Sequence, residues 1–167
     1  MKDKTRKIHV IGINSFDFCE MPLSLQNLFL RIKNIAVPIN YANNIKLWFE
    51  KDQSQNKNYF MSRSDNNLIQ WIRNTPEDLI LVSRGDPLWY GIGRILLENF
   101  SKSELYFYPS NSCIQLAFSK LKRPWQNVEI ISIHGRDSVG LTKALKSRRS
   151  SIAVITDSKK SSLEIIK

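Results

Sequence analysis

An apolar run at residues 79–82 is followed by Gly85, Asp86 and Pro87, and this junction constrains the fold more than any other segment. Four consecutive Leu, Ile or Val residues indicate a strand covered on both faces, which is typical of parallel sheets. The residues beyond the junction, 94–100, have the apolar spacing of a packed helix. Strand, turn and helix in this order indicate an α/β protein, in which ligands bind at the carboxyl ends of the strands.

Strand and helix patterns alternate along the rest of the chain. They predict strands at 8–13, 35–37, 79–82, 104–108, 127–133 and 151–155. They predict helices at 22–32, 45–50, 66–73, 91–100, 113–121 and 140–146. The polar segment 51–57 is predicted to be a surface loop. The alternation therefore favours an α/β fold with a largely parallel sheet.

The length and composition are those of a globular protein. The chain has 167 residues, of which 42% are hydrophobic and 24% are charged, enough for one domain or for one domain with part of another. No stretch approaches the roughly 18 apolar residues of a membrane span. The apolar segment at 8–13 is too short for the core of a signal peptide. We therefore expect a cytoplasmic protein without a membrane segment.

The net charge of +10 calls for an explanation. Nucleic acid, a small polyanion steered into a positive cleft, and a merely solvated surface are the three alternatives. The basic residues do not alternate with aromatic residues, as a surface that binds single strands would favour. A small polyanionic ligand is therefore the preferred partner, and nucleic acid is the least favoured.

The two cysteines, Cys19 and Cys113, lie far apart and do not have the spacing of metal ligands. We expect two reduced thiols in or near the core. A Cys19–Cys113 disulfide, or Cys113 as a nucleophile, are the alternatives. No metal site is predicted, since no zinc signature and no pair of histidines at helical spacing is present.

The loop at the central junction allows a structural and a functional interpretation. In the structural one, Gly85 adopts a positive φ, Pro87 stiffens the turn and Asp86 caps the next helix. In the functional one, exposed amides and the carboxylate face a ligand. The Gly-Ile-Gly at 91–93 resembles part of a dinucleotide fingerprint, but Leu96 stands where the third glycine belongs. A dinucleotide cofactor is therefore not predicted.

A second candidate site lies at the end of the predicted strand 127–133. Arg136 either pairs with a surface carboxylate or, with His134, meets the carboxylates of a ligand. A guanidinium binds a carboxylate through two parallel hydrogen bonds, which a lysine cannot reproduce. The other histidine, His9, lies within a strand and is expected to be structural. No convincing Ser/His/Asp or Cys/His constellation accompanies these residues.

Several segments together resemble a known family. The loop at 83–93 is similar to the glycine-aspartate-proline loop of the tetrapyrrole methylases, and residues 108–118 are similar to their second cofactor loop. The segments 124–126 and 131–136 resemble the CbiE-type branch, the precorrin-6Y C5,15-methyltransferases. In the first loop, which is glycine-rich and acidic in the family, only Gly12 clearly matches.

The resemblance implies a tetrapyrrole methylase fold with an N-terminal α/β lobe at 1–125 and the start of a C-terminal lobe at 126–167. It implies an S-adenosylmethionine-dependent C-methyltransferase that acts on a precorrin-type tetrapyrrole in cobalamin biosynthesis. The implied cofactor-binding residues are Gly85, Asp86, Pro87, Tyr90, Ser110, Ser112 and Cys113. The implied substrate-binding residues are Gly12, His134 and Arg136.

The resemblance also implies partners: a polycarboxylate tetrapyrrole substrate, a second copy in a homodimer, and a decarboxylating methyltransferase module. The family's second lobe is as large as its first, whereas this chain stops about ten residues after Asp157. We therefore expect an incomplete second lobe. One alternative is a non-catalytic fragment that binds a tetrapyrrole or a partner. Another is a methyltransferase of the same superfamily that acts on RNA or protein, against which the matches at 124–136 argue.

Overall fold

The computed structural model describes residues 6–49, 56–62, 64–133, 137–147 and 151–156. The chain divides into two compact units, Met1–Ser112 and Cys113–Lys167. The lobe boundary at residue 125 stays a prediction. Within the described part of the chain, every helix is too short or too polar to cross a bilayer.

The first unit is built on a five-stranded parallel sheet. Its strands, in chain order, are β1 (Ile8–Ile13), β2 (Asn34–Pro38), β3 (Asn58–Ser62), β4 (Leu79–Arg84) and β5 (Leu105–Tyr108). They lie in the spatial order β3-β2-β4-β1-β5, and every neighbouring pair is parallel. The connections contain α1 (Leu23–Arg31), α2 (Ala42–Leu47), α3 (Asp65–Arg73) and α4 (Gly93–Asn99).

Both faces of the sheet are covered, as the apolar run at 79–82 predicts. On one face Ile11, Ile80 and Val82 pack with Phe29 of α1. On the other face Val10, Leu79 and Leu81 pack with Ile72 of α3 and Leu96 of α4. Side chains alternate across a strand, so a strand buried on both faces has no polar positions. The predicted α/β fold with a parallel sheet is confirmed.

Two elements differ from the sequence-based expectations. β3 (Asn58–Ser62) was not predicted: polar residues flank a short apolar stretch of three residues, and the strand lies at the edge of the sheet, paired with β2. The second helix begins at Ala42 instead of residue 45. Of the loop predicted at 51–57, residues 51–55 lie outside the described part of the chain.

The second unit has the predicted order of elements. It contains α5 (Cys113–Leu121), β6 (Glu129–Ser132), α6 (Val139–Lys146) and β7 (Ile152–Ile155). β6 and β7 pair in parallel and form a two-stranded sheet, with α6 as the connection between them. Leu141 and Ala144 are the buried residues of α6.

The cysteines differ from the expectation. Cys19 and Cys113 are both free thiols, and both are exposed. The prediction that they lie in or near the core is therefore wrong. Cys19 belongs to a short 3-10 helix, Phe18–Glu20, in the loop after β1, and Cys113 is the first residue of α5.

Candidate functional site

Three loops meet at the carboxyl edge of the sheet, after β1, β4 and β5. The backbone N–H of Gly85, after β4, donates to the carbonyl of Ile13 at 3.1 Å. The carbonyl of Gly85 in turn accepts a hydrogen bond from the N–H of Ser110, after β5, at 3.2 Å. β4, β1 and β5 are neighbours in the sheet, so their loops emerge side by side. Two of the segments that resemble the family are thereby joined.

Gly12 makes this close approach possible. A Cβ atom at this position would lie 1.7 Å from the carbonyl oxygen of Gly85 and 3.0 Å from the backbone nitrogen of Ser110. No side chain fits there without separating the loops. Gly12 was predicted to bind substrate; the structure places it, buried, beneath the loop junction. Its contact with substrate stays a prediction.

Gly85 has a left-handed backbone with φ of +62°. A Cβ there would lie 3.1 Å from the carbonyl oxygen of Asn111 and 3.5 Å from the Cα of Ser112. Glycine adopts this conformation without the steric cost that other residues incur. The turn can therefore pack closely against the loop after β5, with both polar backbone groups of the buried Gly85 hydrogen-bonded to its neighbours.

Asp86 and Pro87 shape the turn that follows. The Oδ1 atom of Asp86 accepts a hydrogen bond from the N–H of Leu88 at 2.8 Å, which is an Asx turn. The carbonyl of Pro87 accepts from the N–H of Gly93 at 2.8 Å. Because α4 begins at Gly93, Asp86 is not the N-cap of that helix, and this part of the structural interpretation is wrong. The role of Asp86 toward a ligand stays a prediction.

The glycines at 91 and 93 have a local explanation. A Cβ at Gly91 would lie 2.6 Å from the carbonyl oxygen of Pro87, and one at Gly93 would lie 2.7 Å from the same oxygen. Both glycines therefore make room for the Pro87 carbonyl. The turn therefore explains why the segment 91–93 contains the two glycines that resemble a dinucleotide fingerprint.

Tyr90 stands out by its backbone. Its φ is +50°, its side chain is exposed, and its ring meets that of Trp89 edge to face, with centroids 5.0 Å apart. A residue other than glycine in the left-handed region costs on the order of 1–3 kcal/mol, and such residues cluster at ligand-binding sites. Lys122, outside the predicted site, has a similar φ of +52°, so the role of Tyr90 toward a cofactor stays a prediction.

Asn14 is a residue that the sequence analysis missed. Its Nδ2 atom donates to the hydroxyl oxygen of Ser110 at 2.7 Å and to the carbonyl oxygen of Asn111 at 2.9 Å. The available signal was an amide side chain directly after the end of a strand. Ser112, predicted to bind the cofactor, is buried in the same segment, with 7% of its surface exposed.

The remaining predicted site residues lie elsewhere in the chain. Cys113 is exposed as the first residue of the second unit. His134 and Arg136 lie outside the described residues. Within the described ranges, no group of three or more His, Cys, Asp or Glu side chains is arranged to hold a metal ion.

A cleft of about 780 Å³ lies at the opposite, amino-terminal edge of the sheet. Its described lining is of mixed charge and includes Arg6, Lys7, Arg31, Lys33, Glu77 and Asp78. Asp78 accepts a hydrogen bond from the backbone N–H of Lys7 at 2.8 Å. None of the predicted site residues is among the described residues that line it.

Curated relatives match about half of the chain. The decarboxylating precorrin-6Y C(5,15)-methyltransferase of a Sinorhizobium species is 26% identical over 77 residues, which are 46% of this chain and 19% of that protein. The cobalt-precorrin-7 C(5)-methyltransferase of Salmonella typhimurium is 27% identical over 93 residues, 55% of this chain and 45% of that protein. The chain thus spans less than half of these relatives. No protein-family model matches it.

Solved structures share the fold over more of the chain. The precorrin-6Y methylase CbiE from Archaeoglobus fulgidus superposes with a TM-score of 0.57 at 20% identity, covering 81% of this chain and 68% of that one. The cobalamin synthesis related protein CobF from Corynebacterium diphtheriae has a TM-score of 0.62 at 13% identity, with 93% and 74% coverage.

The resemblance predicted from the sequence is therefore confirmed. The chain is a distant homologue, over about half of its length, of the precorrin-6Y C(5,15)- and cobalt-precorrin-7 C(5)-methyltransferases, and its fold is that of the tetrapyrrole methylases CbiE and CobF.

Proposed function

We propose that this chain is an S-adenosylmethionine-dependent C-methyltransferase, or the donor-binding part of one, that acts on a precorrin-type tetrapyrrole in cobalamin biosynthesis. The observation that carries the proposal is the junction of the loops after β1, β4 and β5, held at Gly12 and Gly85. The distant homology and the shared fold support it.

The residues at the junction fit the methyl donor. Gly85 has no side chain that would project toward the loop after β5. Asp86 is only half-buried, so its carboxylate is available to a ligand with positive sulfonium and ammonium groups. Ser110 and Ser112 contribute hydroxyls from the neighbouring loop. In this proposal these residues, with Pro87 and Tyr90, hold the donor.

The donor, when bound, supplies a methyl group on a positively charged sulfur, and an enamine-like carbon of a reduced tetrapyrrole supplies the electron pair. The protein has to align the two and to exclude water. The turn at 85–87 and the loop at 109–112 would orient the donor. Basic side chains, Arg136 among them, would bind the carboxylates of the substrate. This division of work requires no catalytic triad.

The net charge of +10 supports a polyanionic substrate, since a positive surface raises the rate at which a polycarboxylate arrives. A homodimer and a decarboxylating partner module belong to the same proposal. The chain spans only part of its relatives, so the whole reaction is proposed for the assembled enzyme and donor binding for this chain.

The test is a calorimetric titration of the folded protein with S-adenosylmethionine. Asp86→Asn removes the charge but keeps an oxygen that accepts from Leu88. We expect it to weaken binding about fivefold, because two opposite unit charges about 4 Å apart in water attract by on the order of 1 kcal/mol. Asp78→Asn is the matched control: its carboxylate also accepts a backbone N–H, but at the amino end of β4.

Two results would contradict the proposal. A monodisperse, folded sample that binds neither S-adenosylmethionine nor S-adenosylhomocysteine would favour the non-catalytic alternative. Equal affinity losses in Asp86→Asn and Asp78→Asn would show that the donor does not bind at the carboxyl edge of the sheet.

A further inference from the structure

The Asn14 side chain connects two loops that are far apart in sequence. It follows β1 directly, and both protons of its amide are used: one toward the Ser110 hydroxyl oxygen at 2.7 Å and one toward the Asn111 carbonyl at 2.9 Å. Asn14 is exposed, so burial alone does not hold it in place. The two hydrogen bonds account for its orientation.

These bonds set the geometry of the loop after β5. Because the amide donates to the Ser110 oxygen, the hydroxyl proton of Ser110 has to point away from Asn14. The second bond holds the Asn111 carbonyl. Its oxygen is the atom nearest to the position that a Cβ would occupy at Gly85, at 3.1 Å. Asn14 therefore orients one hydroxyl and one carbonyl, and both belong to the junction around Gly85.

The backbone provides the other half of the connection. Ser110 donates its N–H to Gly85, and Gly85 donates to Ile13, the residue before Asn14. Asn14 thus closes a ring of hydrogen bonds that runs through the ends of β1, β4 and β5. Neither Ser110 nor Asn111 is fully buried, so no complete hydrophobic enclosure restrains this loop. The ring of hydrogen bonds is therefore one restraint on this loop.

We infer that Asn14 is a positioning residue, which holds the Ser110 hydroxyl and the Asn111 carbonyl in the arrangement that binds the methyl donor. The inference rests on the proposed function. Asn14 acts through these two groups, and its loss leaves them in place but mobile. Affinity for the donor then falls because binding has to order the loop.

The experiment compares Asn14→Ala with Asn58→Ala. Asn58 is also exposed and donates its side-chain amide to a neighbouring strand, to Asn34 at 3.1 Å, but at the amino-terminal edge. Hydrogen exchange of the ligand-free protein measures the loop directly. We expect the Ser110 amide to exchange about fivefold faster in Asn14→Ala, as for the loss of one hydrogen bond, and to be unchanged in Asn58→Ala.

Calorimetry then measures the effect on the donor. We expect Asn14→Ala to weaken S-adenosylmethionine binding about fivefold or more. In the double variant Asn14→Ala/Ser110→Ala, the fold-loss of affinity should be smaller than the product of the two single fold-losses. The reason is that Asn14 acts partly through Ser110. If Asn14 acted on donor binding without Ser110, the two fold-losses would multiply in the double variant.

The outcomes separate the two proposals. If the unaltered protein does not bind the donor, the proposed function fails, and the role assigned to Asn14 fails with it. If the unaltered protein binds and Asn14→Ala binds equally well, only the role of Asn14 is overturned. Unchanged exchange at Ser110 in Asn14→Ala overturns that role whatever the affinities are.

Discussion

His9 is a buried titratable residue within β1. It is 3% exposed, and its Nδ1 atom lies 2.9 Å from the hydroxyl of Tyr108. Its Nε2 atom has no hydrogen-bond partner among the described residues. Burial is the main cause that lowers the pKa of His9 below its ordinary value of 6.5; Asp78 opposes this shift, and Lys7 and Arg31 add to it. His9 is therefore neutral in the folded protein at neutral pH.

The lowered pKa of His9 leads us to expect that the protein loses stability in mild acid. The unfolded chain protonates His9 near pH 6.5, whereas the folded chain does so only at lower pH. Between these values the unfolded state binds more protons, so the free energy of unfolding falls as the pH falls. Urea unfolding at pH 7.5 and pH 5.5 measures the loss, which we expect to be smaller in His9→Gln.

Tyr108→Phe is the control for His9. It removes the hydrogen bond and lowers stability by about 1 kcal/mol at both pH values, but it leaves a buried histidine. It should therefore keep the pH dependence. An equal loss between pH 7.5 and pH 5.5 in the unaltered protein and in His9→Gln would contradict the assignment.

Among the elements, the decisive contact is where the ends of β1, β4 and β5 meet. The backbones approach so closely at Gly12 that a Cβ would lie 1.7 Å from the Gly85 carbonyl oxygen. A shift of backbone costs more than a shift of a side chain end, since the hydrogen bonds of the neighbouring strands move with it. The three loops therefore depend on one another through this position.

Gly12→Ala is expected to lower the free energy of unfolding by about 3 kcal/mol or more, because the loops have to separate. Gly140→Ala is the matched control. Its Cβ would meet only the Ile131 side chain, at 3.7 Å, and alanine favours the helix that contains residue 140. We expect it to be neutral or stabilising by up to about 1 kcal/mol. Equal urea midpoints for Gly12→Ala and the unaltered protein would contradict the close approach.

At the scale of the whole first unit, Arg6 connects segments from its beginning to its end. Its Nε atom donates to Glu104 at 2.9 Å, ahead of β5. Its guanidinium also donates to the carbonyls of Ile72 and Thr75, at the end of α3. Glu104 accepts a further bond from the N–H of Ser101. The ion pair is largely shielded, with side-chain exposures of 17% and 19%.

Arg6→Lys keeps the charge but loses the planar fork of donors. We expect it to lower the free energy of unfolding by about 2 kcal/mol, since a shielded carboxylate and two carbonyls lose partners. Arg94→Lys is the control, because the Arg94–Glu98 pair is exposed at 69% and 55%. That change should stay within about 0.5 kcal/mol. Similar urea midpoints for the two variants would contradict the role of Arg6.

The sequence predicted most of the architecture because the patterns are local. The apolar run at 79–82 identified the central strand, since burial on both faces excludes polar residues. β3 escaped prediction because only its three inner residues are apolar or aromatic, too short a pattern to identify a strand without its pairing with β2. Of the candidate site, Gly12, Gly85 and Ser110 were chosen from motifs, and the structure brings all three together.

The sequence by itself determined the α/β class, the order of most elements and the loop at residues 83–93, because these follow from periodicity and from turn chemistry within short segments. Only the tertiary structure decided that Gly12 lies beneath Gly85, and that Asn14 binds residues 96 and 97 positions away. Such contacts depend on how the strands are ordered in the sheet. A hydrogen bond between residues far apart in sequence does not alter the hydrophobic periodicity of either segment. The sequence pattern therefore does not reveal it.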